Sequence, residues 1–137
     1  MGTDVTILKS SDLPFARIEL RSDGILTFEP DPGKLKDYTV PILEESLVAM
    51  LEISEGIPRP YFCDNRYVLG ILGAEEKKFI KAHFHKFVSC YAMAENSPIT
   101  RFVANSFFKA FKDEIDMRMF KDKESGITWL KKKSESG

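Results

Sequence analysis

Cysteine is scarce: Cys63 and Cys90 are the only two among 137 residues, which excludes a dense disulfide framework. An excess of charge of one sign is also missing. Lys and Arg number 20 against 21 Asp and Glu, a net charge of −1, so no global attraction to nucleic acid or an anionic membrane is built in. The longest strongly apolar stretch, residues 87–94, contains Ser89 and falls far short of the roughly 20 residues that span a bilayer. The opening Met-Gly-Thr-Asp lacks the basic and apolar blocks of a signal peptide. No phosphate-cradling glycine loop, Gly-x-Ser-x-Gly elbow or two-histidine zinc helix occurs. His83 and His85 are the only histidines, and two positions apart on a helix they point about 200° away from each other, too far to share a metal. These absences lead us to expect a non-enzymatic, cytoplasmic protein without stable membrane insertion. No nucleic-acid partner, cofactor, metal or catalytic residue is assigned.

What is present is enough for one folded domain. Apolar residues make up 43% of the chain and aromatics 12%, sufficient to bury about two-thirds of the unfolded surface. Charge is distributed unevenly along the chain: residues 1–76 hold 7 basic and 14 acidic side chains, residues 77–137 hold 13 and 7. Such a division either polarises the surface or is mixed away when the two halves interleave in space.

Residues 1–15 are polar and aperiodic until Leu13-Pro14-Phe15 and are expected to be a flexible arm. Residues 16–21 alternate strictly, placing Ile18 and Leu20 on one face, and Ser22-Asp23-Gly24 then supplies turn residues before Ile25-Leu26-Thr27-Phe28. That pattern predicts an antiparallel hairpin. Asp37 or Thr39 can cap a helix with Pro41 in its first turn, a stripe of Val40, Leu43, Leu47, Met50 and Leu51, and Gly56 as a left-handed stop. Strand and helix patterns alternate from Arg59 onward. Strands are predicted at 61–63, 87–93 and 117–120, the second apolar on both faces. Helices are predicted at 74–85 with Phe79, Ile80 and Phe84 inward, and after Ser97-Pro98 with Ile99, Phe102, Val103, Ser106, Phe107, Ala110 and Phe111 on one face. Asp122 caps a closing helix through Trp129, and residues 134–137 are expected to fray. The implied architecture is a single α/β domain over residues 16–133. Its small mixed sheet has about five strands, an N-terminal antiparallel hairpin followed by parallel strands, packed by about four helices.

The passage Asp64-Asn65-Arg66-Tyr67-Val68-Leu69-Gly70-Ile71 after a strand, and the ending from Arg118-Met119-Phe120-Lys121-Asp122 to Trp129-Leu130, resemble the SpoIIAA-like branch of STAS domains. The likeness covers roughly residues 16–132. Gly126 departs from it, standing where such tails usually carry alanine, at up to about 1 kcal/mol of helix stability unless close packing requires it. The resemblance implies a binding or signalling module. In the anti-sigma-factor antagonists of the wider family, a Ser or Thr at the start of the helix after Ile71 is phosphorylated, which switches partner affinity. No Ser or Thr lies between Asp64 and Lys86 here, so that switch is not expected. A related SpoIIAA-like line is similar to CRAL-TRIO lipid-binding domains, implying an apolar small molecule as the alternative to an unknown protein partner or a homo-oligomer.

Ligands of open α/β sheets bind beyond the carboxyl ends of the strands. Asp64, Asn65, Arg66 and Tyr67 would lie there, with Asn96 and Arg101 on the neighbouring connection. In a polar cleft Arg66 or Arg101 would hold an anion while Asp64 or Asn96 accepts hydrogen bonds. The structural alternative has Asp64 and Ser97 as caps and Arg66 solvated. Phe108 falls off the main stripe of its helix and marks a ligand pocket or subunit contact, with Phe102 and Met93 near such a pocket. Cys63 and Cys90 are expected as buried thiols in neighbouring strands, and Lys77, Lys78, Lys81 and Lys86 as a solvated face.

Overall fold

The alternating residues Ala16–Arg21 form a half-buried strand, β2, in the computed structural model, which describes residues 4–35, 37–68, 72–111 and 113–136. Gly24, at φ 85°, supplies the left-handed turn residue. The chain then returns as β3, Leu26–Pro30, antiparallel to β2 with Ile18 opposite Phe28. Preceding both is β1, Ile7–Leu13, paired antiparallel with β2. The expected flexible arm over residues 1–15 is corrected here: its 7–13 portion is an edge strand, and among the described residues the sheet has six strands rather than about five. Its side chains are mostly exposed, so the backbone ladder holds it in place. Residues 1–3 lie outside the described part.

Helix α1, Val40–Ser54, starts as its sequence predicts. Thr39 accepts a hydrogen bond from the Ile42 N–H at its N-terminus, and Pro41 sits in the first turn where an N–H has no partner to lose. The left-handed stop begins one residue earlier than expected, with both Glu55 (φ 61°) and Gly56 (φ 69°) in that region. The chain continues through β4 (Arg59–Asp64), α2 (Ala74–His83), a 3-10 turn (Phe84–Lys86), β5 (Val88–Ala94), α3 (Pro98–Lys109), β6 (Asp116–Phe120) and α4 (Lys123–Ser136). Residues 134–136, expected to fray, thus belong to α4.

Strand order is β1 to β6 without a reversal, and β3, β4, β5 and β6 are mutually parallel. Each crossover therefore steps across the sheet in the same direction, and right-handed connections put α1, α2 and α3 on one face. Helix α4 covers the other. Alternation along the central strands feeds two cores. Tyr61, Cys63, Tyr91 and Met93 join Phe28, Met50, Phe84 and Phe111 on the first face, whereas Phe62, Cys90, Ala92 and Ala94 meet Ile127 and Leu130 of α4 on the second. The two cysteines are buried and free, on opposite faces of adjacent strands. Ion pairs Lys123–Glu29 at 2.8 Å and Lys131–Asp23 at 3.7 Å join cations of the basic half to acids of the acidic half. Among the described residues no helix is long and apolar enough to cross a membrane.

The inward face of α3 differs from the predicted stripe. Thr100, Val103, Ala104, Phe107 and Phe111 turn inward, while Ile99, Phe102, Ser106 and Ala110 are exposed. The helix is rotated by about one position, because the small Thr100 and Ala104 allow closer approach to the sheet than Ile99 and Phe102 would. Helix α2 likewise ends at His83, and tightening into the 3-10 turn drives Phe84 into the core.

Candidate functional site

Parallel pairing brings the ends of β4, β5 and β6 together. The Asn65 N–H donates to the Ala94 carbonyl at 2.8 Å and the Glu95 N–H to the Phe120 carbonyl at 3.0 Å. On this rim Asp64 accepts from the Arg66 backbone N–H at 3.1 Å and grips its guanidinium with both oxygens, at 3.0 and 2.8 Å. Burial draws the Asp64 carboxyl upward, but the Arg66 guanidinium and N–H outweigh it and hold it below its usual range. Glu95, only 2% exposed, accepts from the Ser97 N–H at 3.1 Å and from Arg101 Nε at 3.0 Å. Ser97 in turn caps α3 through the Thr100 N–H. Both rim guanidiniums thus face a carboxylate of their own, and Asn96 is exposed.

Apolar side chains stand on the outer surface of the same rim. Tyr67, under the Arg66 guanidinium at 5.5 Å, is 65% exposed, Ile99 59% and Phe102 78%. Phe102 thus faces solvent, a correction to its expected place at a pocket. Phe108 is half-buried with its ring 6.0 Å from Tyr91, and it lines an open groove against Ile115 and Met117.

An unreversed strand order leaves no crevice between strand ends of the kind doubly wound sheets use. A hollow instead lies between the sheet and α1–α3, a cavity of about 120 Å³. Its walls are largely aromatic: Tyr61 and Tyr91 stack at 5.3 Å, and Phe84 meets Tyr91 edge-on at 5.2 Å. One end is polar. Tyr38 Oη donates to Asn65 Oδ1 at 2.6 Å, the Cys63 thiol reaches the same oxygen at 3.5 Å, and Asn65 Nδ2 donates to Met93 Sδ at 3.0 Å. Of the residues proposed from sequence, Asn65 and Met93 line this cavity, while Asp64, Arg66, Tyr67, Asn96 and Arg101 belong to the rim above it. Tyr38 is the member that sequence reasoning missed. It comes from the loop before α1 and is 27 positions from its partner, so no local spacing signals it.

Burial pushes the Cys63 thiol up to about 11 from an ordinary 9.0, despite lowering hydrogen bonds from Tyr38, Tyr91 and Tyr61. That is the opposite of an activated nucleophile. The same burial holds Tyr38, Tyr61 and Tyr91 well above the ordinary 10.0. Such groups release protons more readily from the unfolded chain, so their stabilisation is complete below the unfolded value and lost as pH rises through the folded one. Urea midpoints are expected to hold level up to about pH 8.5, just below the ordinary thiol value, and then to fall. Cys63 alone accounts for a loss on the order of 2 kcal/mol by pH 11. In Cys63→Ala the decline should be smaller by that amount; an identical decline in both proteins would refute the assignment.

No curated protein matches the chain. A crystal structure of an uncharacterized protein from the DUF3478 family with a SpoIIAA-like fold, from Shewanella loihica PV-4, is similar to it with a TM-score of 0.57 and 15% identity, covering 95% of this chain and 98% of that one. At that identity the likeness shows the fold, and the fold is SpoIIAA-like. Residues 18–134, from within β2 to near the end of α4, match the family described as Domain of unknown function (DUF7793), and the chain belongs to that family.

Proposed function

We propose that the domain is a regulatory interaction module that binds a protein partner, or a second copy of itself, through the strand-end rim. The observation that carries this reading is the exposure of Phe102 on the first turns of α3, with Ile99 beside it and Tyr67 on the adjoining connection. Single exposed apolar residues are ordinary; Ile99 and Phe102, three positions apart on α3, share one exposed helix face suited to a partner. The ion pairs Asp64–Arg66 and Glu95–Arg101 stiffen the two connections beneath it. Such pre-ordering reduces the entropy lost on docking. The N-terminus of α2 is capped by Gly73, which has no side-chain hydroxyl to modify, so this binding would not follow the phosphorylation logic of the anti-sigma-factor antagonists.

The test compares wild type with Phe102→Asp. An exposed residue changes stability by only about 0.5 kcal/mol, so melting should be preserved. Self-association by sedimentation, or a partner retained on immobilised protein, should weaken by 30-fold or more, as loss of a central aromatic anchor of about 2 kcal/mol implies. A wild type that stays monomeric and retains nothing that Phe102→Asp releases would overturn the reading.

A further inference from the structure

The geometry points to the cavity between the sheet and α1–α3 as a binding site for a compact, uncharged aromatic molecule whose single hydrogen-bond acceptor is taken by Asn65 Nδ2. Volume sets the size. At about 120 Å³ the cavity is near the roughly 150 Å³ at which an apolar protein cavity stays dry and admits benzene. It is well below the roughly 300 Å³ at which drug-sized pockets begin. Walls of Tyr61, Phe84, Tyr91 and Phe107 offer ring faces and edges, which favour another ring.

The polar end sets the rest. Asn65 is 8% exposed, and two donors, the Tyr38 hydroxyl and the Cys63 thiol, converge on Oδ1. That fixes which end of the amide carries nitrogen. Nδ2 then carries two N–H groups and meets, among the described residues, only the thioether of Met93, a weak acceptor. A ligand carbonyl or ether oxygen would complete it. Among the described residues lining the cavity there is no Asp, Glu, Lys or Arg, and burial pushes the Tyr38, Tyr61 and Tyr91 hydroxyls and the Cys63 thiol up, away from their charged forms. A charged ligand would enter without a counter-charge.

Acetophenone, benzene, benzoate and decanoate titrated into the full chain test this, with melting temperature and calorimetry as readouts. Acetophenone should bind saturably, raise the melting temperature and bind about tenfold more tightly than benzene, as one neutral hydrogen bond allows. Benzoate and decanoate should bind neither detectably nor competitively. Asn65→Leu should bring acetophenone down to the benzene level, and Ala104→Leu, which fills the cavity from α3, should abolish binding of both rings. If Asn65→Leu does not fold, a nuclear Overhauser contact between the acetophenone and Met93 methyl groups in wild type takes its place, and its absence from a bound complex overturns the assignment. So does failure of both neutral rings to bind, a preference for benzoate or decanoate, or binding that survives Ala104→Leu.

Discussion

Phe84→Ala is expected to lose about 3–5 kcal/mol of stability, the upper range for removal of a buried aromatic. Phe84 enters the core from the 3-10 turn after α2, and its ring lies within 5.2–6.2 Å of five others: Tyr61, Phe87, Tyr91, Phe107 and Phe111. Most of these contacts are edge-to-face, each worth roughly 0.5–1.5 kcal/mol beyond its buried area. Truncation cost also depends on how far the surroundings collapse. Here the new hole would merge with the cavity that Phe84 already lines, so little collapse is expected. Against a total of about 5–15 kcal/mol for a small domain, this one change consumes a large share. Urea unfolding should show a lower midpoint at an unchanged slope. A loss below about 1.5 kcal/mol would mean that the five rings hold together without their hub.

The dependence of the core on a turn residue illustrates what could be read from the chain and what could not. The β2–β3 hairpin was legible because alternation and a Ser-Asp-Gly turn agree, and α1 and α3 because the caps Thr39 and Ser97 are each followed by a proline in the first turn, Pro41 and Pro98. Strand β1 was not. Ile7-Leu8-Lys9-Ser10-Ser11-Asp12-Leu13 has no apolar face, since an edge strand with mostly exposed side chains needs none, and its polar residues protect the open edge. Helix α3 offered too many large apolar residues, and its buried face was decided by the small Thr100 and Ala104, whose signal in a sequence is faint. For the site, Asp64, Asn65, Arg66 and Arg101 were visible as polar residues after strands. Their pairing was not, because Glu95 reaches six positions to Arg101 and Tyr38 reaches Asn65 across a whole helix and strand. The cavity itself is assembled from strands β3–β5 and three helices, and no local pattern encodes it.

Gly126 sets helix propensity against packing, and the two predict opposite signs. In isolation, Gly→Ala inside a helix gains about 1 kcal/mol. In this fold α4 crosses β4 and β5 at Gly126, where an added Cβ would meet Phe62 ring carbons at 3.0 and 3.1 Å and the Ala92 methyl at 3.5 Å. Phe62 is completely buried and has no open side to swing toward, so the strain falls on the α4–sheet spacing. Overpacking of a filled core costs about 1–3 kcal/mol, which exceeds the propensity gain. Gly126→Ala should therefore destabilise, by about 1 kcal/mol net, and Gly126→Val, with two further methyls and a stiff χ1, by about 3 kcal/mol. Relief should come from the other side of the contact. Combined with Phe62→Leu, the Gly126→Ala change should cost less than it does alone, with a coupling of about 0.5–3 kcal/mol. Paired urea titrations of the four proteins measure it. If Gly126→Ala instead gains stability, or the two changes simply add, the glycine is not a close-packing residue and the departure from alanine at this position has another cause.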